Sequence, residues 1–224
     1  EALMKPIMAH LRENGWAEEA YCFWYDEPQP DAIPYVASGM RALQNAAPGL
    51  RRVLTVSPDP TLYHDVDTWV PLLSNLRYFD HASRARERLA AGDSMGWYVC
   101  MSPLTPRPNN FIDHPAINHR IRAWLAERYG VTTELYWNTT WYLDENGNER
   151  NPWEDPMSRG GPIYLGNGDG MLLYPPTRTL PADPLVAGPI NSLRWELLRE
   201  GLEDGEYFWL LKEMLRRGES RLGP

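Results

Sequence analysis

Tyr21-Cys22-Phe23-Trp24-Tyr25-Asp26-Glu27-Pro28 is the stretch on which the fold turns. A run of aromatic and small apolar residues ends in two adjacent carboxylates and a proline, the pattern of a buried β-strand that delivers acid groups at its C-terminal end. In an α/β barrel, that end carries the chemistry. Alternation along a strand would send Asp26 and Glu27 to opposite faces, so both serve one site only if the chain leaves the strand there. Pro28 favours the departure, because it removes a ladder donor and holds Glu27 in an extended or turn conformation. A lone Asp-Glu-Pro more often opens a solvated loop. Here the apolar run before it, and later segments of the same design, argue for a working pair.

Outward from this stretch the chain alternates helix and strand patterns. Residues 1–14 place Leu3, Ile7, Met8 and Leu11 on one helical face, and Asn14-Gly15 ends that helix. A second helix pattern runs from Ala37 to Ala47 and stops at Pro48-Gly49; a short strand runs from Arg52 to Val56. Val66 to Leu73 holds another strand around Trp69, and Asn75 to Ala91 is helical, with Arg84, Arg86 and Arg88 on a solvated face. Gly96 to Met101 is a further buried strand, followed by a Pro- and Asn-rich loop from Ser102 to His114. Ile117 to Tyr129 is an amphipathic helix capped by Gly130, and Thr133 to Trp137 is a strand that runs into Asn138-Thr139-Thr140-Trp141-Tyr142.

A polar excursion covers Leu143 to Pro162. Gly166-Asn167-Gly168-Asp169-Gly170 then makes a turn before Met171 to Tyr174; it lacks the Lys and Ser/Thr of a phosphate loop. Ser192 to Arg217 closes the sequence as a long helix, with a break expected near Gly201 or Gly205. The alternation indicates βαβ units around a parallel sheet. About five units are present, whereas a closed (β/α)8 TIM-type barrel has eight strands and typically ~250 residues. The expectation is therefore an α/β fold in which residues 1–224 form a single, partial TIM-barrel domain carrying roughly strands four to eight.

The 224 residues carry a net charge of −8, and the pI near 5.2 argues against nucleic acid or an anionic membrane as partner. No apolar run reaches the length of a bilayer span. The sequence opens on Glu1 inside a helix pattern, so any leader peptide would precede it. Cys22 and Cys100 lie in apolar strand-like runs, where a buried free thiol is expected rather than a disulfide. His10, His64, His81, His114 and His119 show no metal-binding spacing. Ten tryptophans and twelve tyrosines against four phenylalanines favour side chains with a flat apolar body and a polar handle, which suits sugar faces.

The motifs YCFWYDEP, GWYVCMSP, NNFIDHPAINHRIRAWLAERYGVTTELYWNTTWY, GNGDGMLLYP and NSLRWELLREGLEDGEYFWLL, in this order from Tyr21 to about Leu211, resemble the C-terminal part of the barrel of glycoside hydrolase family 123 and its uncharacterised relatives. The resemblance implies a (β/α)8 barrel with Asp26-Glu27 on strand four, Gly96 to Met101 as strand seven and Thr133 to Trp137 as strand eight. It also implies β-N-acetylgalactosaminidase activity on a glycan or glycoconjugate and a secreted or periplasmic location; the substrate-assisted mechanism read below needs no metal or organic cofactor. This chain departs from the family in lacking the first three strands. It also has Gly205 where an aromatic would stand before Glu206-Tyr207. An open sheet edge invites association with a partner segment.

Retaining glycosidases set two carboxyls ~5 Å apart across the scissile bond, and inverting ones ~6.5 to 9.5 Å apart. Neighbours on one strand end approach from one side and fit neither arrangement. They fit substrate assistance, in which the sugar's own 2-acetamido oxygen attacks the anomeric carbon. Glu27 is then the general acid and later the base, while Asp26 accepts the acetamido N–H. Tyr98, Trp137, Trp141 and Tyr142 are candidates for the sugar subsite, and Trp137 leads because the alternation that buries Leu135 would also turn it inward. Asn110 and Asp113 are candidates to bind sugar hydroxyls, although Asp113 could equally cap the next helix. Asn138 matches a glycosylation sequon but reads as a site or turn residue. Two alternatives stay open: a non-catalytic carbohydrate-binding barrel or fragment needing a partner segment, and a two-carboxylate glycosidase that does not use the acetamido group.

Overall fold

Short, mostly buried runs such as residues 52–54 and 95–99 are too short to be helices, and they build a parallel sheet. The computed structural model describes residues 2–74, 80–144, 146–157, 166–176 and 188–218, with side chains left aside at 80–82. The chain forms two compact units, Glu1–Tyr98 with Thr132–Leu135 and Val99–Val131 with Tyr136–Pro224.

The first unit holds a curled parallel five-stranded half-barrel sheet, consistent with a partial TIM-type barrel. Its strands are β1 (Tyr21–Cys22), β2 (Arg51–Leu54), β3 (Thr68–Trp69), β4 (Ser94–Val99) and β5 (Thr133–Tyr136), and they lie side by side in chain order. Register pairs Tyr21 with Arg51, Val53 with Thr68, and Trp69 with Met95. Helix α1 (Met4–Glu13) precedes the sheet, α2 (Ile33–Ala46) connects β1 to β2, and α3 (Asp80–Ala90) connects β3 to β4. Val36 and Met40 of α2 are buried, as are Val53, Leu54, Trp69, Met95 and Trp97 of the strands, whose side chains alternate between the two faces of the sheet. Trp69 is buried yet satisfied, its indole donating to Asp93, which also pairs with Arg88 at 2.7 Å.

Two expectations shift here. The strand at residues 21–25 is only two residues long, and Tyr21 and Phe23 are exposed, because β1 ends the sheet and pairs only with β2 among the described residues. Trp24 turns instead against α2, where a Cβ on Gly39 would come within 2.1 Å of its ring, and its indole donates to the sulfur of Met40. Helix α2 starts earlier than Ala37, at Ile33, with a proline in its first turn where no donor is lost. The expected start of the third helix, at 75–79, lies outside the described residues, as does part of the polar excursion, 158–162.

In the second unit α4 (Ile117–Arg120) and α5 (Arg122–Tyr129) stand where one helix is expected; they divide at Ile121, and Gly130 caps α5 at φ 68°. β6 (Leu173–Tyr174) pairs antiparallel with β7 (Ile190–Asn191), and α6 (Leu193–Arg216) follows. The break expected in α6 does not occur. Gly201 is buried, and a Cβ there would meet the Arg120 carbonyl at 2.8 Å, so the glycine lets two helices approach rather than interrupting one. Asp204 of α6 fastens the contact, accepting from Arg120 at 2.6 and 2.7 Å and from the Trp124 indole at 2.9 Å. Neither Cys22 nor Cys100 is in a disulfide among the described residues, and both are half-buried.

Candidate active site

The chain leaves β1 after Cys22, and the acid pair sits on the segment that follows. Glu27 adopts φ 44°, the left-handed region, rather than the extended conformation that a following proline favours. Two side chains hold it there. Its backbone N–H donates to the Thr55 hydroxyl at 2.8 Å, and that hydroxyl donates to Asp26 Oδ1 at 2.6 Å. The Tyr98 hydroxyl donates to Glu27 Oε1. Thr55 follows β2 directly and is 5% exposed; Tyr98 lies on β4 and is 8% exposed. Both carboxylate residues are exposed, and among the described residues neither forms an ion pair. The pair therefore lies at the C-terminal end of the parallel strands, fixed by their neighbours and open to solvent, which is where a barrel places reacting groups.

The remaining candidates belong to the second unit. Trp137 lies one residue past β5 and is 42% exposed, while Leu135 is only half-buried, so strand alternation does not carry Trp137 into a core. Its indole N–H donates to Asp169 Oδ1 at 3.1 Å, and the Tyr136 hydroxyl donates to the same oxygen at 2.9 Å. Gly170 N–H completes the network by donating to the Tyr136 hydroxyl. Burial pushes the Asp169 carboxyl up, against the opposing pull of these donors, and pushes the Tyr136 phenol up as well. Trp141 stands beside Trp137 with ring centroids 5.4 Å apart. Gly170 underlies both rings: at φ 74°, a Cβ there would lie 2.6 Å from Trp137 and 2.9 Å from Trp141.

Four sequence candidates direct polar groups to the protein itself. Asn110 is 1% exposed, accepts from Arg122 at 2.7 Å through its side chain, and accepts from Arg194 at 2.6 Å through its carbonyl. Asp113 accepts from the backbone and side-chain nitrogens of Asn167 at 2.5 and 2.9 Å, and Ala116, not Asp113, occupies the cap of α4. Asn138 closes a turn by accepting from Thr140 N–H at 2.8 Å. The Tyr142 hydroxyl donates to the Leu173 carbonyl, and burial, with Tyr174 nearby, pushes its phenol up to about 12.

Residues 1–211 match the family model described as glycoside hydrolase 123, catalytic domain. The chain belongs to glycoside hydrolase family 123. Among solved structures it is similar to a family 123 glycoside hydrolase from Clostridium perfringens, described in the context of glycolipid glycan hydrolysis, with 21% identity and a TM-score of 0.67. The match covers 96% of this chain and 35% of that one, and at this identity it speaks for the fold. No curated protein matches the chain.

Within this family 123 domain, sequence reasoning missed three residues. Thr55 is the next-to-last residue of the run Arg52 to Val56, and a threonine in such a run carries no signal by itself. Asp169 was legible only as part of a turn, although a Trp and a Tyr nearby each needed an acceptor. Arg194 is 5% exposed and donates to the carbonyls of Asn110, Gly168 and Met171, which ties the Gly-rich turn to the loop before α4. No group of three or more His, Cys, Asp and Glu side chains among the described residues is arranged to hold a metal ion.

Proposed function

We propose that this family 123 domain is the catalytic part of a retaining glycoside hydrolase that releases terminal β-linked N-acetylhexosamine, N-acetylgalactosamine foremost, by substrate-assisted catalysis. The observation that carries the reading is the adjacent, solvent-facing pair Asp26-Glu27, each carboxylate engaged by a different strand-end hydroxyl. Side by side on one segment, the two acids reach a sugar from one direction, which leaves the far face of the anomeric carbon to the substrate's own acetamido oxygen.

Tyr98 occupies Oε1 of Glu27, so the catalytic proton belongs on Oε2. Glu27 gives that proton to the glycosidic oxygen as the C1–O bond breaks and the acetamido oxygen bonds to C1. Thr55 occupies Oδ1 of Asp26, and Oδ2 accepts the acetamido N–H, offsetting the positive charge of the oxazolinium. Glu27, now ionised, takes a proton from water as the water oxygen adds to C1 and opens the ring, which restores both the acid and the β configuration. Within the second unit, taken by itself, Trp137 has its indole edge fixed by Asp169 and Trp141 beside it, an aromatic surface of the kind that stacks on sugars.

The test is a panel of aryl β-glycosides, with and without a 2-acetamido group, assayed on the full-length protein. Turnover confined to the 2-acetamido substrates supports the reading. Equal turnover of 2-hydroxy glycosides would assign the chemistry to a second enzymic carboxylate instead.

A further inference from the structure

We infer that Thr55 is a positioning residue for the acid pair, one hydroxyl setting both the backbone of Glu27 and the carboxylate of Asp26. The inference rests on the catalytic reading of that pair. A threonine hydroxyl has one proton to give and lone pairs to accept with, and here both functions are committed: Oγ1 accepts the Glu27 N–H at 2.8 Å and donates to Asp26 Oδ1 at 2.6 Å.

Each bond answers a local need. Glu27 at φ 44° is a non-glycine residue in the left-handed region, immediately before a proline, and nothing in its own dipeptide favours that conformation. The ladder of β1 has ended by then, so the Glu27 amide needs another acceptor, and Thr55 supplies it. The same hydroxyl, pinned by accepting that bond, has its proton aimed at Asp26. With Thr55 only 5% exposed, bulk water has little access to replace it. The backbone kink that projects Glu27 and the rotamer that presents Asp26 Oδ2 are thus coupled through one atom. Losing that atom loosens the acid and the acetamido acceptor together.

Thr55→Val keeps the shape and removes both bonds, while Thr55→Ser keeps both. On an aryl 2-acetamido-β-glycoside, with the full-length protein, Thr55→Val is expected to lower kcat on the order of 10²-fold with KM little changed, as misplacement of reacting groups does. Thr55→Ser is expected to return kcat to near the wild-type rate. A Thr55→Val enzyme as fast as wild type, or a Thr55→Ser enzyme as slow as Thr55→Val, overturns the inference. A crystal structure of Thr55→Val decides the same point without activity: Glu27 should leave the left-handed region and the Asp26 carboxylate should rotate, and an unchanged pair overturns the inference. A wild-type protein inactive on the acetamido substrate removes the catalytic reading, and the crystal structure still decides the geometry.

Discussion

At the scale of single residues, the acid pair shows how far sequence reading reaches. Two adjacent carboxylates after an aromatic run and before a proline read from sequence as a candidate pair at a strand end, and the structure has both exposed a few residues past β1. The conformation of Glu27 was not legible. Proline alone argues for an extended residue before it, whereas Glu27 sits at a left-handed φ of 44°, its amide bonded to the Thr55 hydroxyl just past β2 and its carboxylate to a phenol on β4, 71 positions away. Asn110, by contrast, drew notice as a sugar ligand for being polar in a loop, and the fold buries it under two arginines. Glu27→Gln keeps an acceptor for Tyr98 and removes the transferable proton. Its kcat on a 2-acetamido glycoside should fall by about 10²- to 10⁴-fold, the range of a general acid, with an unchanged far-UV circular dichroism spectrum. Retained turnover would free Glu27 of the role.

Among elements, the contact of α4 and α5 with α6 was legible as amphipathic pattern but not in its detail. Glycine in a helix suggests a break from sequence alone; here Gly201 marks a close approach of α6 to the Arg120 backbone. Gly201→Ala forces a Cβ to 2.8 Å from the Arg120 carbonyl and should destabilise the protein by about 1–3 kcal/mol, read from denaturant midpoints. Gly205→Ala, with open space around it, should be neutral or slightly stabilising in the same assay. Asp204 adds a pH signature. Hydrogen bonds from Arg120 and Trp124 hold its carboxyl down to about 2, from an ordinary value of 3.8. A depressed carboxyl stabilises the fold at pH above its unfolded value and loses that contribution as pH falls through the folded one. The stability gap between wild type and Asp204→Asn should therefore be full near neutral pH and close between about pH 4 and pH 2. A gap that stays constant over that window would show that the clasp is not electrostatic.

Over the whole molecule, the alternation of short apolar runs with amphipathic helices made the parallel sheet readable, since helical crossovers between parallel strands follow from that pattern. Strand order equals chain order, so residues remote in sequence share the C-terminal end of the first unit's sheet. The segments between β5 and α6 were less readable, because turns, buried arginine and backbone carbonyls carry them rather than hydrophobic period. The chain belongs to family 123, and the acid pair follows β1 at the C-terminal end of the parallel strands. The mechanism proposed on that frame has the sugar supply its own nucleophile, and this is best tested on the nucleophile itself. Aryl β-glycosides bearing N-acetyl, N-fluoroacetyl, N-difluoroacetyl and N-trifluoroacetyl groups weaken the attacking oxygen stepwise while changing its size little. Measured on the full-length protein, kcat/KM should fall steeply with each added fluorine. A series in which fluorination leaves kcat/KM flat would contradict acetamido participation.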